Sequence, residues 1–514
     1  METWNAQKNW ALVLALTGAM ALFAAIPTSA AAQGAPSCVG APGVGDPDYP
    51  TYGNGGYDVR HYRLKVTYNP ATDQLKGKAK INARATQRLC TFNFDLVGLS
   101  VDKVKVNGKE SEFSRSGQEL TIEPDRSLKN GKAFKVAVRY RGVPSEFTIP
   151  GTDIRTGFMA TPEGATVAGQ PEVAAGWFPV NDHPIDKASY AFDVTVPNAY
   201  EVAANGFLVG TKRNKGGTST WSWRAQEPMA SYLATIDIGQ WDVTETTHIG
   251  LPSYDAIASQ ITGGLRAEID DSMSRQGEIL TMLEDSFGPY PFSTVGGIVP
   301  NQEDLRFALE TQTRSVYSKR FWRDSMGNPR DADWVVVHEY AHQWFGDDVA
   351  LALWHDIWLN EGPATYAEWL WEEHLGNATP QEIFLATYDS IPADDPFWDV
   401  VIGDPGVDLL FHDAVYVRGA MTLQVLRNAV GDANFFAILQ EWTSSHSGGH
   451  GTTLEFMALA EQISGQQLDA LFNTWLFTAG KPALPAAEGA TARAAAPGAS
   501  WVDEMQSRLS LGRY

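Results

Sequence analysis

Between Tyr57 and about Asp242 apolar and polar side chains alternate in short runs, the period of a strand with one face on a core and the other in water. "HYRLKVTY" alternates Tyr62, Leu64, Val66 and Tyr68, "KAKINARAT" alternates Ala79, Ile81, Ala83 and Ala85, and "FKVAVRY" alternates Phe134, Val136, Val138 and Tyr140. Asn107-Gly108 after "VDKVKV" is a hairpin signal, because both residues tolerate the positive φ of a tight turn. These runs predict an antiparallel β domain with one solvated face.

After about residue 250 the period becomes helical, in "GLRAEIDDSMSRQGEILTMLEDSF", "VVVHEYAHQWFGDDVA", "EGPATYAEWLWEEHL" and "VYVRGAMTLQVLRNAV". Thr452 and Glu455 form a capping-box signature for a further helix. The expected fold is therefore α+β and multidomain: an N-terminal antiparallel β-sheet domain over 56–246, then a mainly helical domain over 247–484. A linker over 33–55 precedes them, and an Ala/Pro/Gly-rich linker and tail over 485–514 follow. At 514 residues the chain is long enough for more than one core, and it shows no internal repeat.

Charge and the first residues narrow the setting. The formal net charge of −22 disfavours nucleic acid and anionic lipid, and the basic clusters are short and diluted by acids. Lys8, an apolar run from Trp10 to Ile26, the helix-breaking Pro27 and Ala30-Ala31-Ala32 have the layout of a secretory signal peptide over 1–32. The expectation is export as a secreted protein with no stable membrane association. In an oxidising compartment Cys38 and Cys90 are free to bridge, though sequence does not show that they meet.

The helix "VVVHEYAHQWFGDDVA" carries the clearest chemistry. His338 and His342 stand four residues apart, so both imidazoles leave one helix face close enough to share an ion. Glu339, about 100° around, reaches a water on that ion without being a ligand. This is the H-E-x-x-H arrangement of zinc hydrolases, with the glutamate as general base. Glu361 follows after eighteen intervening residues; a carboxylate there completes a His-His-Glu set with one position open, and read alone it also suits a helix N-terminus. Glu368, two turns further on, is either an acceptor behind a ligand imidazole or a solvated helix-face charge. His446 and His450 repeat the spacing, but the glycines of "HSGGH" do not hold a helix, and they read as loop residues.

"HEYAHQWFGD", the eighteen-residue spacing and "WLNEGPATY" together resemble the zinc aminopeptidases of the aminopeptidase N type, a gluzincin family. "GYDVRHYRLKVTY" and "GWFPVNDHPIDKASYAFDVTVP" are similar to segments of that family's saddle-like N-terminal domain, so the resemblance runs from about Gly56 to Pro482. It implies a thermolysin-like catalytic domain with one Zn²⁺ per chain on His338, His342 and Glu361, and with Glu339 as general base. It also implies that Glu310, in "RFALETQTRSVY", binds the substrate's free α-amine with Ala308 and Leu309 beside it, although Phe307 and Thr311 replace the family's Gly and Asn. Gln170 matches a family position near the same amine. Tyr416, in "VYVRGAMTLQVL", matches the family's catalytic tyrosine, with Arg418 in place of Lys. Without the resemblance Glu310 reads as a strand residue, Gln170 as a loop residue and Tyr416 as a core aromatic.

The implied protein is a secreted zinc-dependent aminopeptidase acting on peptides with a free N-terminus. Its rivals are a zinc endopeptidase or an epoxide hydrolase of the same fold, or a peptide-binding module whose catalysis has lapsed. Larger members of the family carry a long helical C-terminal domain, whereas this sequence ends about thirty residues after "GKPALP", from which a more open cleft is expected.

Overall fold

The alternating runs form an eight-stranded sheet in the order Phe207–Asn214, Thr218–Met229, Ala188–Pro197, Tyr57–Asn69, Gln74–Ala85, Ala133–Gly142, Ser100–Val106 and Lys109–Glu110. The computed structural model describes residues 38–484 apart from Ser325; the expected signal peptide and the C-terminal tail lie outside the described residues. Tyr62, Leu64, Val66 and Tyr68 are buried, as are Ala79, Ile81, Ala83 and Ala85, while the residues between them face water. Asn107 and Gly108 both take positive φ, +50° and +83°, and close the hairpin that pairs Val106 with Lys109.

One pairing in this sheet is parallel, between Tyr57–Asn69 and Ala188–Pro197. A parallel neighbour needs a long return, and here the chain makes it through two smaller sheets. One is three-stranded, Phe92–Asp95, Glu119–Glu123 and Glu112–Ser116; the other is five-stranded and includes Arg155–Thr161 and Gly164–Ala168.

The junction expected at 246/247 falls inside the strand Trp241–His248. That strand pairs with Leu251–Ala258, which Gly297–Val299 and Ser315–Val316 extend in parallel into the helical half. The helices are α1 (Gly263–Ser274), α2 (Gln276–Phe287), α3 (Asp333–Ala341), α4 (Trp358–His374), α5 (Pro380–Ser390), α6 (Asp413–Val430), α7 (Asp432–Ser445), α8 (Thr453–Ser464) and α9 (Asp469–Leu476). Thr452 and Glu455 make the expected capping box of α8. One apolar core runs unbroken from the sheets into the helices. No helix among the described residues is long and apolar enough to cross a membrane.

Residues 38–55, expected as a linker, form a packed strap. Cys38 and Cys90 are bridged, with Cα atoms 5.1 Å apart. The buried Asp46 carboxylate accepts from its own loop at Asp48 N (2.9 Å), from Trp354 N (2.9 Å) and from His183 Nε2 (3.0 Å). The Tyr49 ring meets Trp354 edge-on at 6.1 Å. The strap's Gly, Pro and Asp content gives it no hydrophobic period, so these distant partners, from 52 residues away at Cys90 to 308 at Trp354, leave no local sign.

Candidate active site

Helix α3 is buried along its whole length, so its polar residues must find partners inside the protein. His338 Nδ1 donates to Glu368 Oε1 at 2.8 Å, and His342 Nδ1 donates to the Phe345 carbonyl at 3.0 Å. With both Nδ1 positions occupied as donors, each Nε2 presents a lone pair. The two Nε2 atoms lie 3.1 Å apart, and Glu361 Oε2 is 3.3 Å from His338 Nε2 and 3.2 Å from His342 Nε2. Apart from these imidazoles the Glu361 oxygens have no hydrogen-bond partner. Three electron-pair donors within 4.8 Å of one another, two of them held from behind, fit a tetrahedral divalent ion such as zinc.

The local electrostatics call for a cation at the same point. Burial pushes the Glu361 carboxyl up, but His342 and His338 outweigh it and hold it at about 2. Burial works against a charged His342, yet Glu361 and Glu310 drive its pKa well above the ordinary value. Burial raises Glu339 to about 8, against His338 and His342 and with Glu310 and Glu361 adding to the rise. Glu339 Oε2 is buried with no hydrogen-bond partner. A divalent ion on the three donors replaces the imidazole protons and favours ionised Glu339.

Two glycines bring the remaining chemistry to this point. Gly362, next to Glu361 on α4, faces Gly419 on α6, where a β-carbon on Gly419 would lie 2.9 Å from Gly362 Cα. This backbone-to-backbone crossing sets Tyr416, almost one turn before Gly419, beside the ligands. Its ring stacks on His338 with centroids 6.0 Å apart and planes 22° apart. Arg418, which replaces the family's Lys, is buried and donates to the carbonyls of Trp398, Val400, Thr474 and Thr478, anchoring α6 to the end of the domain.

Glu310 is 1 % exposed, so it is not a surface strand residue. Its Oε1 accepts from Tyr232 Oη at 2.9 Å, and its backbone carbonyl accepts from Gln343 Nε2 at 2.9 Å. Leu309 exchanges backbone hydrogen bonds with Val316 and buries its side chain. Thr311, which replaces the family's Asn, donates its Oγ1 proton to Arg314 O and closes the turn. The Arg314 guanidinium lies against the edge-to-face pair Trp223 and Tyr254, 5.4 Å and 4.9 Å from their ring centres, and donates to the carbonyls of Ala204, Tyr254 and Gly206, pinning the Glu310 loop against the β half. A cleft lined by Ala308, Phe321, Trp334, Val335 and Tyr416 opens over His338, Glu339 and His342. Gln170 is buried in the loop after Gly164–Ala168, ahead of a cis bond to Pro171.

Sequence reasoning missed Tyr232, Gln343 and Arg314. Gln343 adjoins His342 inside the motif, and Arg314 stands four residues after Glu310 in "RFALETQTRSVY", so both were open to suspicion on that ground, whereas Tyr232 lies in an unremarked stretch. Glu368 is 2 % exposed, which removes its reading as a solvated charge. His446 and His450 lie outside the ligand set, and His450 sits in the short strand His450–Gly451.

The chain matches the peptidase family M1 domain over residues 272–475 and the peptidase M1 N-terminal domain over residues 59–233. It is 26% identical over 456 residues to a leucyl aminopeptidase of Saccharolobus solfataricus, covering 82% of this chain and 54% of that protein. It is 25% identical over 336 residues to a glutamyl aminopeptidase of Bos taurus, covering 61% and 34%. The chain thus spans about half the length or less of these curated relatives. The crystal structure of an M1 zinc metallopeptidase from Deinococcus radiodurans superposes with a TM-score of 0.76 at 27% identity, covering 86% of this chain and 98% of that one. A mutant of the Deinococcus enzyme bound to a Tyr-Ser-Ala substrate matches at 28% identity and the same TM-score, covering 86% and 99%.

Proposed function

The chain belongs to the peptidase M1 family, and on that premise we propose that it is a secreted zinc aminopeptidase, holding one Zn²⁺, that removes N-terminal residues from peptides. The observation that carries this reading is a buried carboxylate, Glu310, held by Tyr232 beside the His338, His342 and Glu361 donor set. Zinc on those three residues supplies a Lewis acid that polarises a carbonyl and brings the pKa of water to about 7.

The chain's own residues do the rest. Glu339, one position along the helix from a ligand, takes the proton of the attacking water and passes it to the leaving amine. Tyr416 donates its phenolic proton in a hydrogen bond to the carbonyl oxygen as negative charge develops there. Glu310, assisted by Gln170, holds the substrate's ammonium group, and Ala308 and Leu309 flank the peptide backbone. An ammonium held by Glu310 beside the three-residue donor set would limit cleavage to the first peptide bond, and the named aminopeptidases among the relatives support the same reading.

The test compares hydrolysis of one peptide with its amine free and acetylated. Acetylation is expected to abolish turnover, and equal turnover of the two forms refutes amine recognition in favour of an endopeptidase. Secretion is supported by the N-terminal layout and by the Cys38–Cys90 bridge, since such bridges persist in oxidising compartments. Recovery of the protein outside the cell, beginning after Ala32, is the expected result; intracellular retention of the unprocessed chain refutes it.

A further inference from the structure

The acidic balance of the whole chain conceals a basic surface. On the solvated side of the eight-stranded sheet, register sets Lys65 opposite Lys78, Lys78 opposite Arg139, and Arg139 opposite Lys103. Four cations thus cross four neighbouring strands in one row, about 5 Å from strand to strand. Two residues along, Arg63 stands opposite Lys80, and Lys105 lies two strands further on across Ala137. Like charges directly opposite one another destabilise a sheet, so this ladder is costly unless an anion answers it.

Carboxylates answer only the margins. Asp193 pairs with Arg63 and Lys65, Glu110 with Lys103, and Asp102 with Arg141. Among the described residues Lys76, Lys78, Lys80, Lys105, Lys135 and Arg139 have no carboxylate within 4.0 Å. Lys78 is pushed below its ordinary pKa by partial desolvation and by Lys80, Arg139, Lys65 and Lys105 around it.

The shape of the face selects among anions. Three shallow depressions run into one another, the first two sharing Lys105 and the second two sharing Lys78 and Arg139, so that together they make a continuous furrow. No exposed large apolar side chain lines it to enter a bilayer, and of its two rings Tyr140 is buried and the half-buried His61 imidazole is tied to Ser189 Oγ at 2.9 Å, so no Phe, Tyr or Trp face is presented for base stacking. We propose that this furrow docks a linear, base-free phosphate polymer, whose charges recur along one chain as the cations recur across the strands.

The test is titration of the full-length protein with long-chain inorganic polyphosphate at about 50 mM salt. Binding is expected, weakening roughly tenfold or more by about 200 mM salt as counterions are released. The combined Lys65→Ser, Lys78→Ser, Lys103→Ser and Arg139→Ser variant is expected to lose at least tenfold in affinity while melting no lower than wild type, since it relieves like-charge repulsion, and while keeping peptide hydrolysis. Acetylation footprinting of the unmodified protein is a second readout: polyphosphate is expected to shield Lys76, Lys78 and Lys80 and to leave Lys212 and Lys215 on the hairpin edge reactive. The proposal is overturned if wild-type protein does not bind polyphosphate, if the footprint falls elsewhere, or if the folded variant binds as well. It is equally overturned if phosphatidylglycerol vesicles or single-stranded DNA bind more tightly than polyphosphate.

Discussion

Replacing Glu368 is expected to weaken zinc binding without touching a ligand. Glu368 lies two turns beyond Glu361 on α4, so one helix supplies both a ligand and the group that steers another ligand. Its Oε1 receives the His338 Nδ1 proton at 2.8 Å, and the two side chains are 2 % and 8 % exposed. In so dry a setting a charge-assisted hydrogen bond both fixes the ring and raises the basicity of Nε2. Loss of such a partner costs about 10–100-fold in metal affinity, or about 1.4–2.7 kcal/mol. Glu368→Ala is expected in that range, because it also leaves a buried N–H without an acceptor. Glu368→Gln keeps an acceptor oxygen and is expected to lose less. Competition for zinc against a chromophoric chelator at fixed pH gives the affinity, and thermal melts with and without metal separate ligation from folding. A Glu368→Ala protein that folds and holds zinc within threefold of wild type refutes the reasoning.

Glu339→Gln is expected to retain zinc and lower kcat by about 10²–10⁴-fold, as for loss of a general base; metal content and turnover measured on one sample check it. Gly419→Ala is expected to cost about 1–3 kcal/mol, because its methyl meets Gly362 Cα at 2.9 Å, and to lower activity by parting Glu361 from Tyr416; a melt and a rate assay read both effects. Asp46 has its carboxyl held at about 2 against a reference of 3.8: burial raises it, but His183 and the Trp354 and Asp48 amides prevail. The folded state therefore binds fewer protons than the unfolded state in that window. The stabilisation, about 2 kcal/mol, is complete above pH 3.8 and is lost as pH falls through 2. Asp46→Asn is expected to flatten the stability curve between these values, and parallel urea titrations across that range measure it.

Local signals carry far in this molecule, and long-range ones do not. Strand alternation and the Asn107-Gly108 turn depend on neighbours a few residues apart, so the order of residues alone displays them. The four-residue spacing of His338 and His342 is equally local, and Glu361 is within reach because a helix start follows its motif. The Tyr232 bond to Glu310, the Arg314 clasp and the Gly362–Gly419 crossing join segments tens of residues apart or more, where sequence holds no record of proximity. The basic furrow escapes a linear reading for a different reason. Along the chain its lysines alternate with apolar residues and are diluted by distant acids, and only the pleat and the strand register gather them on one side.

The strap between Cys38 and Asp46 ties metal chemistry to the far end of the chain. Asp46 holds the Trp354 amide, and the turn Trp354–Asp356 leads directly into the helix bearing Glu361. Seating the strap and capturing the third ligand therefore draw on the same few residues, and linkage makes the benefit mutual: whatever zinc gains from a seated strap, the strap gains from bound zinc. Metal content is then expected to respond to an oxidation event remote from the metal, since opening the Cys38–Cys90 bridge removes the strap's covalent anchor at its other end and leaves only hydrogen bonds such as Gly40 N to Thr91 O to hold it.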